Sequence, residues 1–73
     1  MTESEFGIAT VYRIIKKAGA ERISDDAAEE LRNSLEEIAR LISSQAVEFS
    51  RHAGRKTVRS SDIRLAAKNI VKT

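Results

Sequence analysis

The feature that most constrains the fold is a run of apolar residues spaced three or four apart, with no proline or glycine between Ala28 and Gly54. Such spacing predicts one amphipathic helix of roughly 29 residues. Ser24 precedes it as a candidate N-cap, and the two aspartates that follow would favour its N-terminus. The run consists of Ala28, Leu31, Leu35, Ile38, Ile42, Ala46, Phe49 and Ala53.

The predicted length of this helix has a consequence for assembly. About 29 residues span roughly 44 Å, whereas a compact globule of this chain length has a diameter of about 30 Å. The helix is therefore too long to be buried by its own chain, and a second chain is expected to cover it. The alternative is a two-stranded coiled coil with frayed ends, which would not need the two further helices described next.

Two shorter helices are predicted, one on each side of the long one. The first ends at Ala18, before Gly19, and its apolar residues are Ile8, Val11, Ile14, Ile15 and Ala18. The last is capped by Ser60 or Ser61, and its apolar residues are Ile63, Ala66, Ala67, Ile70 and Val71. We therefore predict an all-α chain in the order short, long, short.

The composition fits one small domain over residues 1–73, with residues 1–6 as a short acidic extension. No cysteine is present, and one histidine cannot build a zinc site alone, so neither disulfides nor a metal cofactor is expected to support the small core. A partner chain is the remaining support. No export signal or membrane-spanning run is recognised, and we expect an intracellular protein.

The sequence offers no motif for catalysis. It contains no glycine-rich phosphate loop and no second histidine, and the acids between Asp25 and Glu37 fit helix capping and a solvated face. An enzyme is therefore not expected.

Positive and negative charges are segregated although the net charge is only +2. Basic residues concentrate in residues 13–22 and 51–72, and acidic residues in residues 25–37. This pattern indicates an electrostatic footprint for a polyanion, although a charged run can also be only a solvated face.

The residue types favour contact with the backbone of duplex nucleic acid. The aromatic residues Phe6, Tyr12 and Phe49 are too few to support base stacking. No helix presents Asn and Gln beside basic residues, as a reader of the major groove would. Arg, Lys, Ser and Thr near loops and helix N-termini remain, and they bind phosphate without reading sequence.

Two stretches, "RIIKKAGAERISDDA" (13–27) and "RHAGRKTVRSSDI" (51–63), closely resemble the archaeal histones. The resemblance implies the histone fold, with two chains clasped head to tail in an intertwined handshake dimer. The first loop of one chain would lie beside the second loop of its partner.

The implied function is that of an architectural chromatin protein in the cytoplasm, associated with the archaeal chromosome. It would bind, bend and wrap double-stranded DNA with little sequence specificity, as a homodimer or with a paralogous histone. Dimers would assemble further into nucleosome-like or extended complexes. The alternative is a histone-fold interaction subunit of a transcription complex, whose basic surface is incidental.

The resemblance also implies roles for individual residues. Arg22 corresponds to the arginine that enters the minor groove, although it could be an ordinary loop arginine, and Thr57 of the partner would hold it. Lys56 would meet phosphate beside it, and Arg13 would lie at the centre of the dimer. The implied DNA-contacting residues are Arg13, Lys16, Arg22, Ser24, Lys56, Thr57 and Arg59.

Further positions matching the family concern assembly. Arg55 and Asp62 correspond to an internal salt bridge that fixes the second loop against the last helix. Contacts between dimers are implied at Phe49, His52 and Asp62, with His52 donating to Asp62 of a neighbouring dimer, although a lone histidine on a helix is often only a surface residue.

Stacking between turns of a DNA superhelix is implied at Gly19, Glu37 and Lys68. Glu37 and Lys68 are complementary, but Asn33 would face Arg64 and Lys17 would face Arg51. We therefore expect wrapping with looser stacking. Gly19 can also be explained locally, as the residue that ends the first helix.

Overall fold

The computed structural model of the chain describes residues 6–70. These residues form three helices, α1 (Ile8–Lys17), α2 (Asp25–His52) and α3 (Ser60–Ile70), and no strand. Loop 1 (residues 18–24) and loop 2 (residues 53–59) connect them. The all-α class and the short, long, short order are confirmed. The predicted acidic extension lies outside the described residues except for Phe6, and so does Val71 of the predicted third helix.

The long helix α2 forms as the apolar spacing predicts. It has 28 residues, a length of about 42 Å. Ser24 is its N-cap, as predicted: the Ser24 hydroxyl accepts a hydrogen bond from the Ala27 N–H at 3.1 Å, and the Ser24 carbonyl accepts one from the Ala28 N–H. Despite its length α2 is too polar for a bilayer, and no helix within residues 6–70 is both long and apolar enough to cross one.

The start of α3 differs from the prediction. The Arg59 carbonyl accepts hydrogen bonds from the N–H groups of Asp62 and Ile63, so Arg59 is the N-cap. Ser60 and Ser61 were expected to cap this helix, but they lie inside its first turn, and that prediction is wrong. The physical reason is that the Asp62 carboxylate reaches back and accepts the Arg59 N–H at 2.9 Å, which satisfies this end without a serine hydroxyl.

Two compact units divide the chain, residues 1–37 and residues 38–73, with the boundary inside α2. In the first unit, Val11 of α1 and Ala28 of α2 are fully buried. In the second unit, Ala46 of α2 and Ala66 of α3 are fully buried, and the side chains of Gln45 and Asn69 join these two helices by a hydrogen bond of 3.1 Å.

The apolar core of the single chain is very small. Within residues 6–70 the four buried apolar residues include three alanines, and Val11 is the largest side chain that is fully buried. Large apolar residues that are between 39% and 50% exposed are Ile14, Ile38, Leu41, Val58, Ile63 and Leu65. A domain of this size needs more buried apolar surface than that to be stable, so the described chain is incompletely covered on its own.

Candidate nucleic-acid interface

Loop 1 begins with a tightly hydrogen-bonded end of α1. The Gly19 N–H donates to the Lys16 carbonyl at 2.9 Å and the Ala20 N–H donates to the Ile15 carbonyl at 3.5 Å, which is the Schellman pattern. Gly19 has a φ of +114°, outside the range that residues with a Cβ adopt readily. The predicted role of Gly19 as the residue that ends α1 is therefore confirmed.

A second contact joins α1 to the start of α2, at the far end of loop 1. The Tyr12 hydroxyl, on α1, donates a hydrogen bond to Oδ1 of Asp25, the first residue of α2. This bond raises the pKa of Tyr12 above its ordinary value of 10.0, with smaller contributions from desolvation and from the charges of Asp25 and Glu29. The phenol therefore keeps its proton and remains a donor at neutral pH, so both ends of loop 1 are held.

The cationic side chains that were predicted to contact DNA from α1 and loop 1 are exposed. Neither Arg13, Lys16 nor Arg22 forms an ion pair or side-chain hydrogen bond with another residue of the range 6–70. Ser24 is exposed too, but its oxygen already serves as the cap of α2. Loop 1 thus combines a restrained backbone with an arginine whose charge is not neutralised by that part of the chain.

Loop 2 begins with the same backbone pattern at the end of α2. Gly54 has a φ of +73°, its N–H donates to the Arg51 carbonyl, and the Arg55 N–H donates to the Ser50 carbonyl, both at 2.9 Å. The buried Ser50 adds a longer bond of 3.4 Å from its hydroxyl to the Arg55 carbonyl. Ser50 and Arg55 therefore hold each other through two hydrogen bonds across the turn.

The expected pair of Arg55 and Asp62 is present. Nη1 of Arg55 lies 3.0 Å from Oδ2 of Asp62, and Nη2 lies 3.1 Å from Oδ1, so the pair is bidentate. Nη1 also donates to the Thr57 carbonyl at 2.9 Å. Asp62 is only 5% exposed. One guanidinium thus fixes the middle of loop 2 to the first turn of α3.

The electrostatics of this pair follow from its hydrogen bonds. The Arg55 guanidinium, followed by the Arg59 N–H, lowers the pKa of Asp62 below its ordinary value of 3.8, and the hydrogen bond to Asp62 raises the pKa of Arg55. Both groups are therefore charged at neutral pH. The positive charge of Arg55 is neutralised by Asp62 and is therefore not available to bind a ligand.

The other cations of loop 2 resemble those of loop 1. Lys56 and Arg59 are exposed, and their side chains form no ion pair with another residue between 6 and 70. Thr57 is exposed as well, and its carbonyl accepts the hydrogen bond from Arg55. The predicted DNA contacts of both loops are therefore accessible on segments with fixed backbones.

The residues predicted to join dimers have different surroundings. Phe49 is half-buried, whereas the His52 side chain is 82% exposed and its Nε2 lies 3.8 Å from the Glu48 carboxylate. Both carboxylate oxygens of Asp62 already accept hydrogen bonds from Arg55 or Arg59. Within the described residues, the His52 imidazole therefore lies beside Glu48, and the Asp62 carboxylate is occupied by other donors.

The residues predicted to act in stacking are all exposed: Gly19, Glu37 and Lys68, together with Lys17, Asn33, Arg51 and Arg64. Arg51 lies 3.7 Å from Glu48 of its own helix. A side chain added at Gly19 would meet no atom within 4 Å. Nothing in the described residues therefore blocks these positions from meeting another molecule.

Sequence reasoning missed three contacts. Two are at the loops, the Tyr12 bond to Asp25 and the paired bonds of Ser50 with Arg55, and the third is the Gln45 bond to Asn69 between α2 and α3. The first joins residues 13 positions apart, and no spacing rule connects a tyrosine to an acid across a turn. Only the position of an uncommitted carboxylate at the start of α2 hinted that it could accept a hydrogen bond. No group of three His, Asp or Glu side chains in residues 6–70 is placed to hold a metal ion.

Comparison with known proteins gives consistent results. The family model described as histone-like transcription factor (CBF/NF-Y) and archaeal histone matches residues 4–67. A subunit of the archaeal histone HAN1 from Thermococcus zilligii is 55% identical over 65 residues, which cover 89% of this chain and 97% of that protein.

Two proteins of Methanocaldococcus jannaschii are also similar. Probable archaeal histone 3 is 43% identical over 63 residues, covering 86% of this chain and 94% of that protein. DNA-binding protein HmvA is 43% identical over 56 residues, covering 77% of this chain and 58% of that protein. The family match spans most of the chain, and the helix order agrees with the histone fold, so the chain belongs to the family of histone-like transcription factors and archaeal histones.

Proposed function

We propose that this protein is an architectural chromatin protein that binds, bends and wraps double-stranded DNA with little sequence specificity. The observation that carries the proposal is the contrast among its cations. Arg55 is bound within loop 2, whereas Arg22 and Lys56 are exposed on restrained loops and have no partner within residues 6–70. Cations held ready on fixed backbone suit a regular array of phosphates.

The individual roles follow the charge and the position of each residue. Arg22 enters the minor groove, with Thr57 of a second chain beside it, and Lys56 contacts the adjacent phosphate. Arg13 lies at the centre of the dimer. Lys16, Ser24 and Arg59 add contacts at the edges of these surfaces. Such contacts track groove width and do not read bases, which is why little sequence preference is expected.

The active form is a dimer of single-domain chains covering residues 1–73. Within residues 6–70 of the chain alone, six large apolar residues remain exposed, and burial against a second copy or a paralogous chain would remove them from water. The Thermococcus zilligii relative is itself named as one subunit of a histone, which is consistent with either arrangement.

Larger assemblies form on DNA and place the protein on the chromosome. Phe49, His52 and Asp62 join neighbouring dimers. Between turns of the superhelix, Glu37 and Lys68 have opposite charges and attract each other. Asn33 opposite Arg64 and Lys17 opposite Arg51 do not, so stacking is looser. Closed, tightly stacked rods in cryo-electron microscopy at physiological salt would contradict this part of the proposal.

The second candidate function is that of an interaction subunit of a transcription complex. The description of the matched family, which includes transcription factors as well as archaeal histones, favours keeping it. In that case the exposed loop cations would not be needed for binding to duplex DNA.

The deciding experiment measures binding to a random-sequence duplex over a series of salt concentrations, with mass photometry to size the complexes. We expect a steep loss of affinity with salt and growth in steps of one dimer. Arg22→Ala should weaken binding about tenfold, the scale of one good charged contact. Arg40→Ala is the matched control, because it removes the same charge from an exposed position of α2 outside the proposed surface.

Two results would contradict the proposal. A stable dimer that does not bind duplex at low salt would favour the role in a transcription complex. Equal losses for Arg22→Ala and Arg40→Ala would show that only net charge matters and that loop 1 is not a specific contact.

A further inference from the structure

The hydrogen bond between Tyr12 and Asp25 has no place in the roles described so far. Tyr12 is half-buried on α1, Asp25 is exposed at the start of α2, and both belong to the unit of residues 1–37. Their side chains join the two helices directly, so the bond closes the segment that contains Arg22. Neither residue was predicted to contact DNA.

The closure restrains residues that have few other restraints. Between the turn at Gly19 and the cap at Ser24, Glu21 and Arg22 are exposed and form no hydrogen bond or ion pair with another residue of the described range. The backbone bonds of Gly19 and Ala20 belong to the end of α1, and those accepted by Ser24 belong to α2. Among the hydrogen bonds described for residues 6–70, the one from the Tyr12 hydroxyl is therefore the side-chain bond that links these two ends across the loop.

The bond also directs the Asp25 carboxylate. Asp25 lies three residues after Arg22, and an unrestrained carboxylate there could neutralise the arginine or repel phosphate. By donating to Oδ1, the Tyr12 hydroxyl holds this carboxylate toward α1. Because the phenol is neutral, the contact adds no charge, and it leaves the basic side chains of loop 1 unpaired by Asp25.

We propose that Tyr12 is a positioning residue for DNA binding, which acts by fixing loop 1 through Asp25 so that Arg22 is presented to the duplex. This inference rests on the proposed function. Its physical basis is preorganisation: if the loop is already ordered in the free protein, binding does not have to order it.

The test is a double-mutant cycle on the full chain, with affinity for a random-sequence duplex measured at one fixed salt concentration. Tyr12→Phe removes only the hydroxyl, and we expect it to weaken binding roughly three- to tenfold, the range for one intramolecular hydrogen bond. In the Arg22→Ala background the same change should have almost no effect, because the residue through which Tyr12 acts is missing.

A matched pair of acid variants tests the partner. Asp25→Asn and Asp26→Asn each remove one negative charge from the first turn of α2, but the described hydrogen bond to Tyr12 involves Asp25 alone. If only charge mattered, both would strengthen DNA binding equally. The amide oxygen of Asp25→Asn is a weaker acceptor than the carboxylate, so we expect Asp25→Asn to bind DNA more weakly than Asp26→Asn, by a smaller factor than that of Tyr12→Phe.

The outcomes separate this inference from the proposed function. If the unmodified protein does not bind duplex, the proposed function fails. If it binds but Tyr12→Phe binds equally well, the role of Tyr12 is wrong and the function stands. Equal weakening by Tyr12→Phe in both backgrounds would show a general structural effect and would also overturn the inference.

Discussion

The two loops begin alike but are held by different chemistry. Each follows a helix that ends in a Schellman turn with a glycine at positive φ, Gly19 or Gly54. Loop 1 is then closed by a neutral phenol that donates to an exposed carboxylate, whereas loop 2 is closed by a bidentate ion pair with a buried carboxylate. The shared backbone pattern therefore does not dictate the side chains that complete it.

The difference shows that a loop carrying basic residues can be restrained either by using one of its cations in an ion pair or by a neutral hydrogen bond that leaves the cations unpaired. Loop 2 gains a strong restraint, but the charge of Arg55 is neutralised locally. Loop 1 has a weaker restraint, and Arg22 keeps its full charge. Four substitution experiments can break or sharpen this comparison.

The largest loss of stability is expected for Asp62→Asn. The change leaves the Arg55 guanidinium without its carboxylate and also weakens the bond that accepts the Arg59 N–H. We expect the free energy of unfolding, measured by urea at one fixed protein concentration, to fall more than for any other substitution named here. Asp26→Asn is the control, because Asp26 is an exposed acid in the first turn of α2.

The same variant has a defined pH dependence. The pKa of Asp62 is lower in the folded chain than its ordinary value of 3.8, so the carboxylate stabilises the fold fully above the unfolded pKa and loses that effect as pH falls through the lowered one. The stability gap between the unmodified protein and Asp62→Asn should be constant above about pH 5 and narrow below about pH 4. A gap that stays constant into the acid range would contradict the ion pair.

The glycines should rank next, and they should differ. A Cβ at either position would meet no atom within 4 Å, so the cost of Gly→Ala is conformational. Gly54 has a φ of +73°, close to the left-handed helical region, but Gly19 at +114° lies well beyond it. We expect Gly54→Ala to cost about 1 kcal/mol and Gly19→Ala roughly 2 kcal/mol in urea unfolding. Equal losses would show that the two turns are energetically equivalent.

The helix caps after the two loops provide a smaller contrast. Ser24→Ala removes the acceptor of the Ala27 N–H and should cost about 1 kcal/mol in the free energy of unfolding. Ser60→Ala should have almost no effect, because Arg59 and Asp62 complete the start of α3. A loss of unfolding free energy for Ser60→Ala as large as that for Ser24→Ala would indicate that Ser60 caps α3, against what the structure shows.

A small loss of stability is expected for Tyr12→Phe, below that of every substitution above except Ser60→Ala, because its hydrogen bond is exposed and the ring is retained. Its thermal midpoint should fall less than that of Ser24→Ala, and hydrogen exchange should quicken at the amides of loop 1 but not at those of loop 2. Faster exchange in both loops would mean that the two restraints are not independent.

The sequence predicted backbone features better than side-chain contacts. The apolar repeat identified α2, Ser24 identified its start, and Gly19 and Gly54 identified two helix ends, because each depends on local conformational preference. The start of α3 was mispredicted, since serine favours the cap position but the returning Asp62 carboxylate made a serine unnecessary. The pair of Arg55 and Asp62 came from family resemblance. For the Tyr12 bond the sequence offered a possible acceptor in Asp25 but nothing that identified the donor, because contacts across a turn depend on three-dimensional placement.

The alanines of the small core set limits on how this sequence can change. Ala28, Ala46 and Ala66 are fully buried in helices, so a larger side chain would overpack its site, and glycine would cost about 1 kcal/mol in helix propensity. These positions should tolerate the fewest replacements in random mutagenesis. If a second chain covers the exposed apolar residues, such as Leu41 and Leu65, replacements there are limited by that partner and not by packing within the chain. If that partner is encoded by a second gene, the replacements that one gene tolerates at these positions depend on the sequence of the other.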